Sequence, residues 1–158
     1  MASSLKNLSD YNADGCSAAG RRFAIVVSEW NTEVTEALYS GAYETLLALG
    51  ASPENIHRKN VPGSYELPLM AKWMAESLHP DAVICIGCVV QGETRHFDFI
   101  CNAVSHGLMN LNLSHGIPFV FGVLTPGNQE QALARAGGVH GNKGIEAAVT
   151  AVKMIANR

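Results

Sequence analysis

The sequence predicts an α/β fold: a three-layer sandwich in which a four-stranded parallel sheet is flanked by helices on both faces. Short apolar segments rich in β-branched residues alternate with longer segments whose apolar residues recur at the helical period. The connections between these segments are short. Such an alternation is typical of parallel strands joined by right-handed crossover helices.

Four segments have the composition of strands in a parallel sheet. Three of them are apolar runs, as expected where both faces of a strand are buried, and the second is more polar, which predicts an edge position. The proline that opens the fourth segment is tolerated at the first residue of a strand. In chain order, the segments are FAIVVS (23–28), NIHRKNV (55–61), AVICIGCVV (82–90) and PFVFGVLT (118–125).

Helices are predicted between the strands and after the last one. The first helix begins at about Thr32, has acidic residues in its first turn and ends at Gly50. The second is predicted over about 66–78 and ends before Pro80, because proline interrupts a helix. The later helices are predicted over about 97–113, 128–136 and 143–157. This order of elements predicts a flavodoxin-like sheet.

Length and composition limit the domain organisation of the chain. Its 158 residues are 47% hydrophobic and 16% charged, which is enough for one buried core and leaves no room for a second domain. Residues 1–20 are polar and contain two glycines. We expect a flexible N-terminal arm over 1–20 and a single domain over 21–158.

The charge balance and the spread of apolar residues argue against several classes of partner. The chain has 11 basic and 14 acidic residues and a net charge of −3, without the excess of Lys and Arg that binding to nucleic acid or to acidic membranes requires. No apolar run reaches the about 18–20 residues that span a bilayer, and the segment MASSLKNLSDYNADG lacks a secretory apolar stretch. We therefore expect a cytoplasmic protein.

The cysteines indicate neither a disulfide scaffold nor a metal site. Four of them are too few and too scattered to staple a small secreted domain. Cys85 and Cys88 form a CxxC, but they lie in a predicted strand, where side chains three residues apart point to opposite faces. We therefore expect small buried side chains at both positions and no metal.

Ligands of an open parallel sheet bind beyond the carboxyl ends of its strands, and this rule selects the loops that follow the predicted strands. The loop after the first strand contains Trp30 and Asn31. The indole ring is suited to stacking on a planar heterocycle, and the amide to a hydrogen bond with its edge. The alternative is that Trp30 covers the end of the next helix and Asn31 caps it.

The loop after the second strand, PGSYE (62–66), combines a glycine with a hydroxyl and a carboxylate. The glycine allows backbone to approach a ligand closely, and Ser64 and Glu66 supply polar groups. The pattern fits equally well with Ser64 as a helix N-cap and Glu66 as a residue of the first turn. The sequence leaves both interpretations open.

The loop after the third strand, QGETRH (91–96), leads into a helix whose free N–H groups and positive end can hold an anion such as phosphate. Thr94 adds a hydroxyl there. His96 lies in the first turn, where the helix end and Arg95 both disfavour imidazolium, so a neutral, proton-accepting ring is expected. His96 is therefore a candidate general base, and the alternative is a capping or surface histidine.

Before the last predicted helix, four glycines lie within residues 137–144, together with the cations Arg135 and Lys143. The segment is similar to a phosphate cradle. It is not a P-loop, because its order is GNKG and a helix precedes it where that motif requires a strand. The alternative is a turn between two helices that carries two solvated cations.

Taken together, these motifs resemble those of 6,7-dimethyl-8-ribityllumazine synthases, which catalyse the penultimate step of riboflavin biosynthesis. The similarity extends in one collinear order from about residue 23 to the C-terminus, through Trp30-Asn31, VPGSYELP, the glycine loop ending in His96, FGVLT and RAGG…GNKG. It implies a transferase that condenses 5-amino-6-(D-ribitylamino)uracil with 3,4-dihydroxy-2-butanone 4-phosphate. Phosphate and water are released, and the resemblance implies no metal or organic cofactor.

The resemblance also implies roles for individual residues. Trp30 matches the aromatic residue that stacks on the pyrimidine, with Asn31 assisting, and His96 matches the proton-transfer residue. Glu93, through its backbone N–H, and Thr94 match phosphate-binding positions. The other residues that the resemblance places in the ring and ribityl pocket are Ser64, Tyr65, Glu66, Cys88, Val89 and Val90.

The family further implies an active site that lies between the subunits of a homopentamer. Arg135 matches the cation that holds the phosphate from an adjoining subunit, and Phe121 and Lys143 correspond to positions that the same neighbour supplies. Pentamers of this family stay single, pair into decamers or close into hollow capsids. Riboflavin synthase is a further partner that the resemblance suggests.

Three positions depart from the commoner family pattern. Gln91 stands where many members have Arg or Lys, Cys88 where Thr is frequent, and Trp30 where Phe is commoner. These changes are expected to affect substrate affinity more than activity. The alternative function is a module with a similar sheet that binds a flavin or a lumazine without turnover. A role as a structural shell would coexist with catalysis.

Overall fold

The computed structural model describes residues 15–158, so most of the predicted arm over 1–20 lies outside the described residues. The described end of this arm departs from the prediction, because Ala18 is fully buried in the core and its N–H donates to the carbonyl of Leu49 at 2.9 Å. Short 3-10 turns, Pro53–Asn55 and Ser64–Glu66, precede the second strand and the second helix. The other elements are β1 (Phe23–Ser28), α1 (Thr32–Ala48), β2 (Ile56–Val61), α2 (Leu67–Leu78), β3 (Ala82–Cys88), α3 (His96–His115), β4 (Phe119–Leu124), α4 (Gln129–Ala134), β5 (Ala136–Gly138), β6 (Gly141–Asn142) and α5 (Lys143–Ala156).

The main sheet contains four parallel strands in the order β2-β1-β3-β4. The polar strand β2 lies at one edge, as its composition predicted, and β4 forms the other edge. On one face, Leu38 of α1 and Ala148 of α5 pack into a common core; on the other, Leu67 of α2 and Leu108 of α3 do so. This arrangement confirms the predicted three-layer α/β sandwich.

Strands β1 and β3 are buried along their whole length because helices cover both faces of the sheet. Successive side chains of a strand point to opposite faces. Ile25 and Val27 therefore pack beneath α1 and α5, whereas Ala24 and Val26 pack beneath α2 and α3. Both faces require apolar side chains, which explains the uninterrupted apolar runs of the sequence.

The same alternation separates the two cysteines of the CxxC. Cys85 packs into the core beneath α2 and α3, and Cys88 into the core beneath α1 and α5. Burial raises the pKa of both thiols, that of Cys88 to about 11, so both stay protonated near neutral pH. The prediction that they are small buried residues is confirmed.

The segment after α4 differs from the prediction. The pattern predicts a helix through residue 136, but α4 ends at Ala134, and the glycine-rich segment forms the small antiparallel pair of β5 and β6. Gly137 and Gly141 have φ angles of 113° and 74°, a left-handed region that glycine adopts without strain. The backbone of Lys143 donates to the Arg135 carbonyl at 2.9 Å. The expected turn between helices is therefore a hairpin that carries both cations at its base.

Asn142 fixes this hairpin to α1. Its side-chain Nδ2 donates to the carbonyl of Ala37 at 2.8 Å, and its Oδ1 accepts from the Gly144 N–H at 2.8 Å. A Cβ at Gly144 would lie only 1.8 Å from the carbonyl oxygen of Leu38, so the close approach of α5 to α1 requires glycine at this position. The core thereby sets the position of the loop that carries Arg135.

Candidate active site

The carboxyl ends of β1, β2 and β3 open into one cleft of about 820 Å³. The loop after β1, the turn after β2, the end of β3 and the first turns of α3 form its walls. The cleft therefore lies at the edge of the sheet where parallel sheets bind their ligands. The predicted residues that line the cleft are Trp30, Asn31, Ser64, Tyr65, Glu66, Cys88, Val89, Val90 and His96.

Trp30 and Asn31 form the rim of the cleft next to β1. Trp30 is 72% exposed, so its ring is accessible for stacking. Asn31 has a left-handed backbone with a φ of 60°, and its Nδ2 donates to the carbonyl of Cys88 at 2.9 Å. The Asn31 side chain makes no capping bond to α1. It instead ties the rim that carries Trp30 to the end of β3.

The turn after β2 forms the facing wall. The Gly63 N–H donates to Oε2 of Glu66 at 2.9 Å, which closes the turn and orients the carboxylate. The side chain of Tyr65 in this turn is exposed. Ser64 makes no capping hydrogen bond, and its buried Oγ has no hydrogen-bond partner. The interpretation of Ser64 as a helix N-cap is therefore wrong.

His96 is the first residue of α3, and its exposed side chain lines the cleft. Its backbone N–H donates to Oγ1 of Thr94 at 3.3 Å. Arg95 is strongly exposed, and its Nε lies 4.0 Å from Oδ2 of Asp98 in the first turn. His96 thus lies both in the cleft and at the N-terminus of α3, where the positive end of the helix favours an anion. Glu93 and Thr94 are exposed in the loop immediately before it.

Five of the predicted site residues do not line this cleft: Glu93 and Thr94 lie in the loop before α3, and three others lie further away. Phe121 and Lys143 line a separate groove of about 620 Å³, which runs along the free edge of β4 between α3 and α5. Lys143 forms an ion pair there, with its Nζ 2.7 Å from Oε1 of Glu146. Arg135 donates from its guanidinium to the carbonyl of Gln131 at 3.0 Å. A single chain therefore does not bring Phe121, Arg135 and Lys143 to the cleft.

One residue of the cleft, Ile100, was not predicted from the sequence, whereas Gly63 was singled out as the glycine of the turn PGSYE. Ile100 follows His96 by four residues, and residues at this spacing share one face of a helix. Helical periodicity applied to α3 would therefore have placed Ile100 beside His96.

The polar groups of the cleft are hydroxyl, carboxylate, amide and imidazole, which suit hydrogen bonding and proton transfer with a small polar substrate. Within residues 15–158, no group of three or more His, Cys, Asp or Glu side chains is placed to hold a metal ion. No helix in that same range is long and apolar enough to cross a membrane.

Comparison with known proteins identifies the family. A family model described as 6,7-dimethyl-8-ribityllumazine synthase matches residues 20–158. The chain is 59% identical to the 6,7-dimethyl-8-ribityllumazine synthase of Cytophaga hutchinsonii, over 99% of this chain and 98% of that protein. It is 52% identical to the protein of the same name from Flavobacterium johnsoniae, over 98% of this chain and 82% of the relative. For that of Parabacteroides distasonis, the identity is 51% over 98% of both chains. The chain therefore belongs to the 6,7-dimethyl-8-ribityllumazine synthase family.

Proposed function

We propose that this cleft is the active site in which the chain condenses 5-amino-6-(D-ribitylamino)uracil with 3,4-dihydroxy-2-butanone 4-phosphate. The products are 6,7-dimethyl-8-ribityllumazine, phosphate and water, and the reaction itself follows from family membership. One observation carries the assignment of the site: the stacking surface of Trp30 and the imidazole of His96, beside an anion-binding helix end, line the same cleft.

The aminouracil occupies the part of the cleft next to β1 and β2. Its pyrimidine ring stacks on the exposed indole of Trp30, and Asn31 assists by holding this rim against β3. The ribityl chain extends along the facing wall, where the carboxylate of Glu66 accepts hydrogen bonds from its hydroxyls. The residues that complete the walls are Ser64, Tyr65, Cys88, Val89 and Val90.

The phosphate of the second substrate lies at the N-terminus of α3. The backbone N–H of Glu93 and the hydroxyl of Thr94 donate hydrogen bonds to it, and the positive end of this helix favours the dianion. Gln91 adds no charge to this loop. Arg95 at the start of α3 lies beside the carboxylate of Asp98, and Arg135 of a neighbouring subunit adds a further full positive charge at the phosphate through a charge-assisted pair.

His96 moves protons during the condensation. Schiff-base formation, elimination of phosphate, enolisation and ring closure each require a proton transfer, and an imidazole beside the phosphate is within reach of several of these steps. The remaining rate enhancement comes from holding the two substrates face to face. The proposed reaction uses no metal and no organic cofactor.

A neighbouring subunit of a homopentamer completes the active site. Two observations support this proposal: Arg135 and Lys143 lie outside the cleft of their own chain, and Phe121 is exposed on the free edge strand β4. Oligomeric assembly in general is a property of the family. The proposal also includes larger assemblies of pentamers and an association with riboflavin synthase. Light scattering of the purified protein measures the size of its assembly.

The proposal also covers the organisation of the chain and its location. The single catalytic domain covers residues 21–158, and the buried residue Ala18 just before them packs into the same core. The matched range of the family model, residues 20–158, supports this boundary. We place the protein in the cytoplasm, where its phosphorylated substrate would be retained, and fractionation of cells tests this placement.

Incubation of the purified protein with both substrates tests the proposed function. The lumazine chromophore is expected to form with release of one phosphate for each product, and treatment with a chelator is expected to leave the rate unchanged. A module that only binds flavins or lumazines would change the fluorescence of added ligand and form no product. That outcome would overturn the proposed function.

Replacement of Arg135 by alanine is expected to raise KM for the phosphate substrate about 10-fold, because the charged partner of a dianion is lost. The KM for the aminouracil is expected to stay unchanged. Steady-state kinetics with each substrate varied in turn measure both values. Arg21→Ala is the matched control, because Arg21 is an exposed arginine at the opposite end of the sheet, paired with Asp81. An unchanged KM in Arg135→Ala would remove Arg135 from the active site.

A further inference from the structure

Two buried hydroxyl groups have no hydrogen-bond partner. They belong to Ser28 and Ser64, which are 0% and 6% exposed, and within residues 15–158 no other buried side-chain nitrogen or oxygen lacks a partner. An unpartnered hydroxyl in the interior is unfavourable, so native structures contain few of them and each requires an explanation. Both lie at the edge of the sheet that carries the cleft, because Ser28 ends β1 and Ser64 follows β2.

Gly87 of β3 brings these two hydroxyls together. The last register pair of β1 and β3 is Val27 with Ile86, so Ser28 and Gly87 are neighbours one step further along the sheet. A Cβ on Gly87 would lie 2.5 Å from Oγ of Ser64 and 3.3 Å from Oγ of Ser28. Both hydroxyls therefore lie within 3.3 Å of the same point, and Oγ of Ser64 occupies space that any larger residue would fill.

This contact determines where the wall of the cleft lies. Ser64 begins the turn that carries Tyr65 and Glu66, and its hydroxyl extends below the wall towards the sheet, against Gly87. The depth to which the Ser64 hydroxyl enters the space beside Gly87 sets the distance between the turn and the sheet. A displacement of the turn by a fraction of an ångström would shift both of the residues that face the substrate.

We propose that Gly87 and Ser28 are positioning residues for the reaction, acting through Ser64, an inference that rests on the proposed function. Gly87 leaves the space in which the Ser64 hydroxyl is seated, and Ser28 supplies the hydroxyl that pairs with it after rotation of either side chain. Neither residue lines the cleft. Together they hold the turn at the depth that fits the ribityl chain of the aminouracil.

A double-variant experiment tests the contact between Gly87 and the Ser64 hydroxyl. Gly87→Ala is expected to raise KM for the aminouracil about 10-fold with kcat within about twofold, because the added methyl group displaces the turn. Adding Ser64→Ala removes the nearest atom that this methyl group meets and leaves the flexible end of Leu67, whose Cδ1 is 3.0 Å from the same position, to shift aside. The double variant is therefore expected to return to the KM of the Ser64→Ala single variant, about threefold above that of the native protein. The KM for the phosphate substrate is expected to stay constant in all three.

Two controls isolate the contact. Gly127→Ala adds the same methyl group where its nearest neighbour would be 3.5 Å away, and KM is expected to stay at the native value. The pairing of the hydroxyls is tested separately: Ser28→Ala alone is expected to raise KM about threefold, as Ser64→Ala does, and the two substitutions combined are expected to raise it no more than either alone. This second cycle keeps the proposal testable if Gly87→Ala does not fold.

The outcomes separate this inference from the proposed function. An unchanged KM in Gly87→Ala, or a double variant no better than Gly87→Ala, would overturn the role of Gly87. Additive effects of Ser28→Ala and Ser64→Ala would overturn that of Ser28. A native protein that forms no lumazine would overturn the proposed function instead, and the unfolding temperatures of the same variants would still report whether Gly87 and Ser64 are coupled.

Discussion

Replacing His96 with alanine is expected to lower kcat about 100-fold while turnover remains measurable. The imidazole is the group to which the proposed mechanism assigns the proton transfers, and these steps slow without it. Turnover persists because the cleft still binds the two substrates in contact, which by itself accelerates a condensation between two molecules. Steady-state kinetics with both substrates at saturation measure the change in kcat.

A second histidine on the same helix provides the control. His106 is exposed on α3 and lies outside the lining of the cleft, so His106→Ala is expected to retain the native kcat. A loss of about 10⁶-fold in the kcat of His96→Ala would contradict the proposal that proton transfer and positioning of the substrates each supply part of the rate enhancement. An unchanged kcat would show that His96 takes no part in the slow step.

The elements that carry buried apolar faces could be predicted closely from the sequence. The boundaries of β1 agree to the residue, and α1 and α5 end within two residues of their predicted limits, because apolar periodicity directly reflects burial. The hairpin of β5 and β6 was missed. It depends on the left-handed backbone of Gly137 and Gly141, and a run of glycines does not show which of its members adopts that conformation.

The candidate site was predictable to the level of its loops. The carboxyl-edge rule brought Trp30 and His96 together, because it depends only on the order of strands and helices. The individual contacts were not predictable. Whether Asn31 caps its helix or reaches Cys88, and whether Ser64 caps a helix or turns its hydroxyl towards Gly87, depends on tertiary distances that no local pattern contains.

Mixing His96→Ala subunits with Arg135→Ala subunits is expected to restore activity well above that of either variant alone. If each site takes His96 from one chain and Arg135 from its neighbour, about a quarter of the sites in randomly assembled rings have both native residues. Equal amounts of the two variants are unfolded, mixed and refolded together. Lumazine formation is then measured at a low concentration of the phosphate substrate, where loss of Arg135 has its largest effect.

The decisive control contains the same residues in a different distribution. A chain with both His96→Ala and Arg135→Ala is refolded with an equal amount of native chain. Sites shared between neighbours predict equal activity for the two mixtures, about a quarter of the native value in each. Sites contained within one chain predict about half of the native activity for this control and no recovery for the mixture of single variants. Because both mixtures contain the same number of His96 and Arg135 side chains, only the sharing of the site between subunits can make their activities equal.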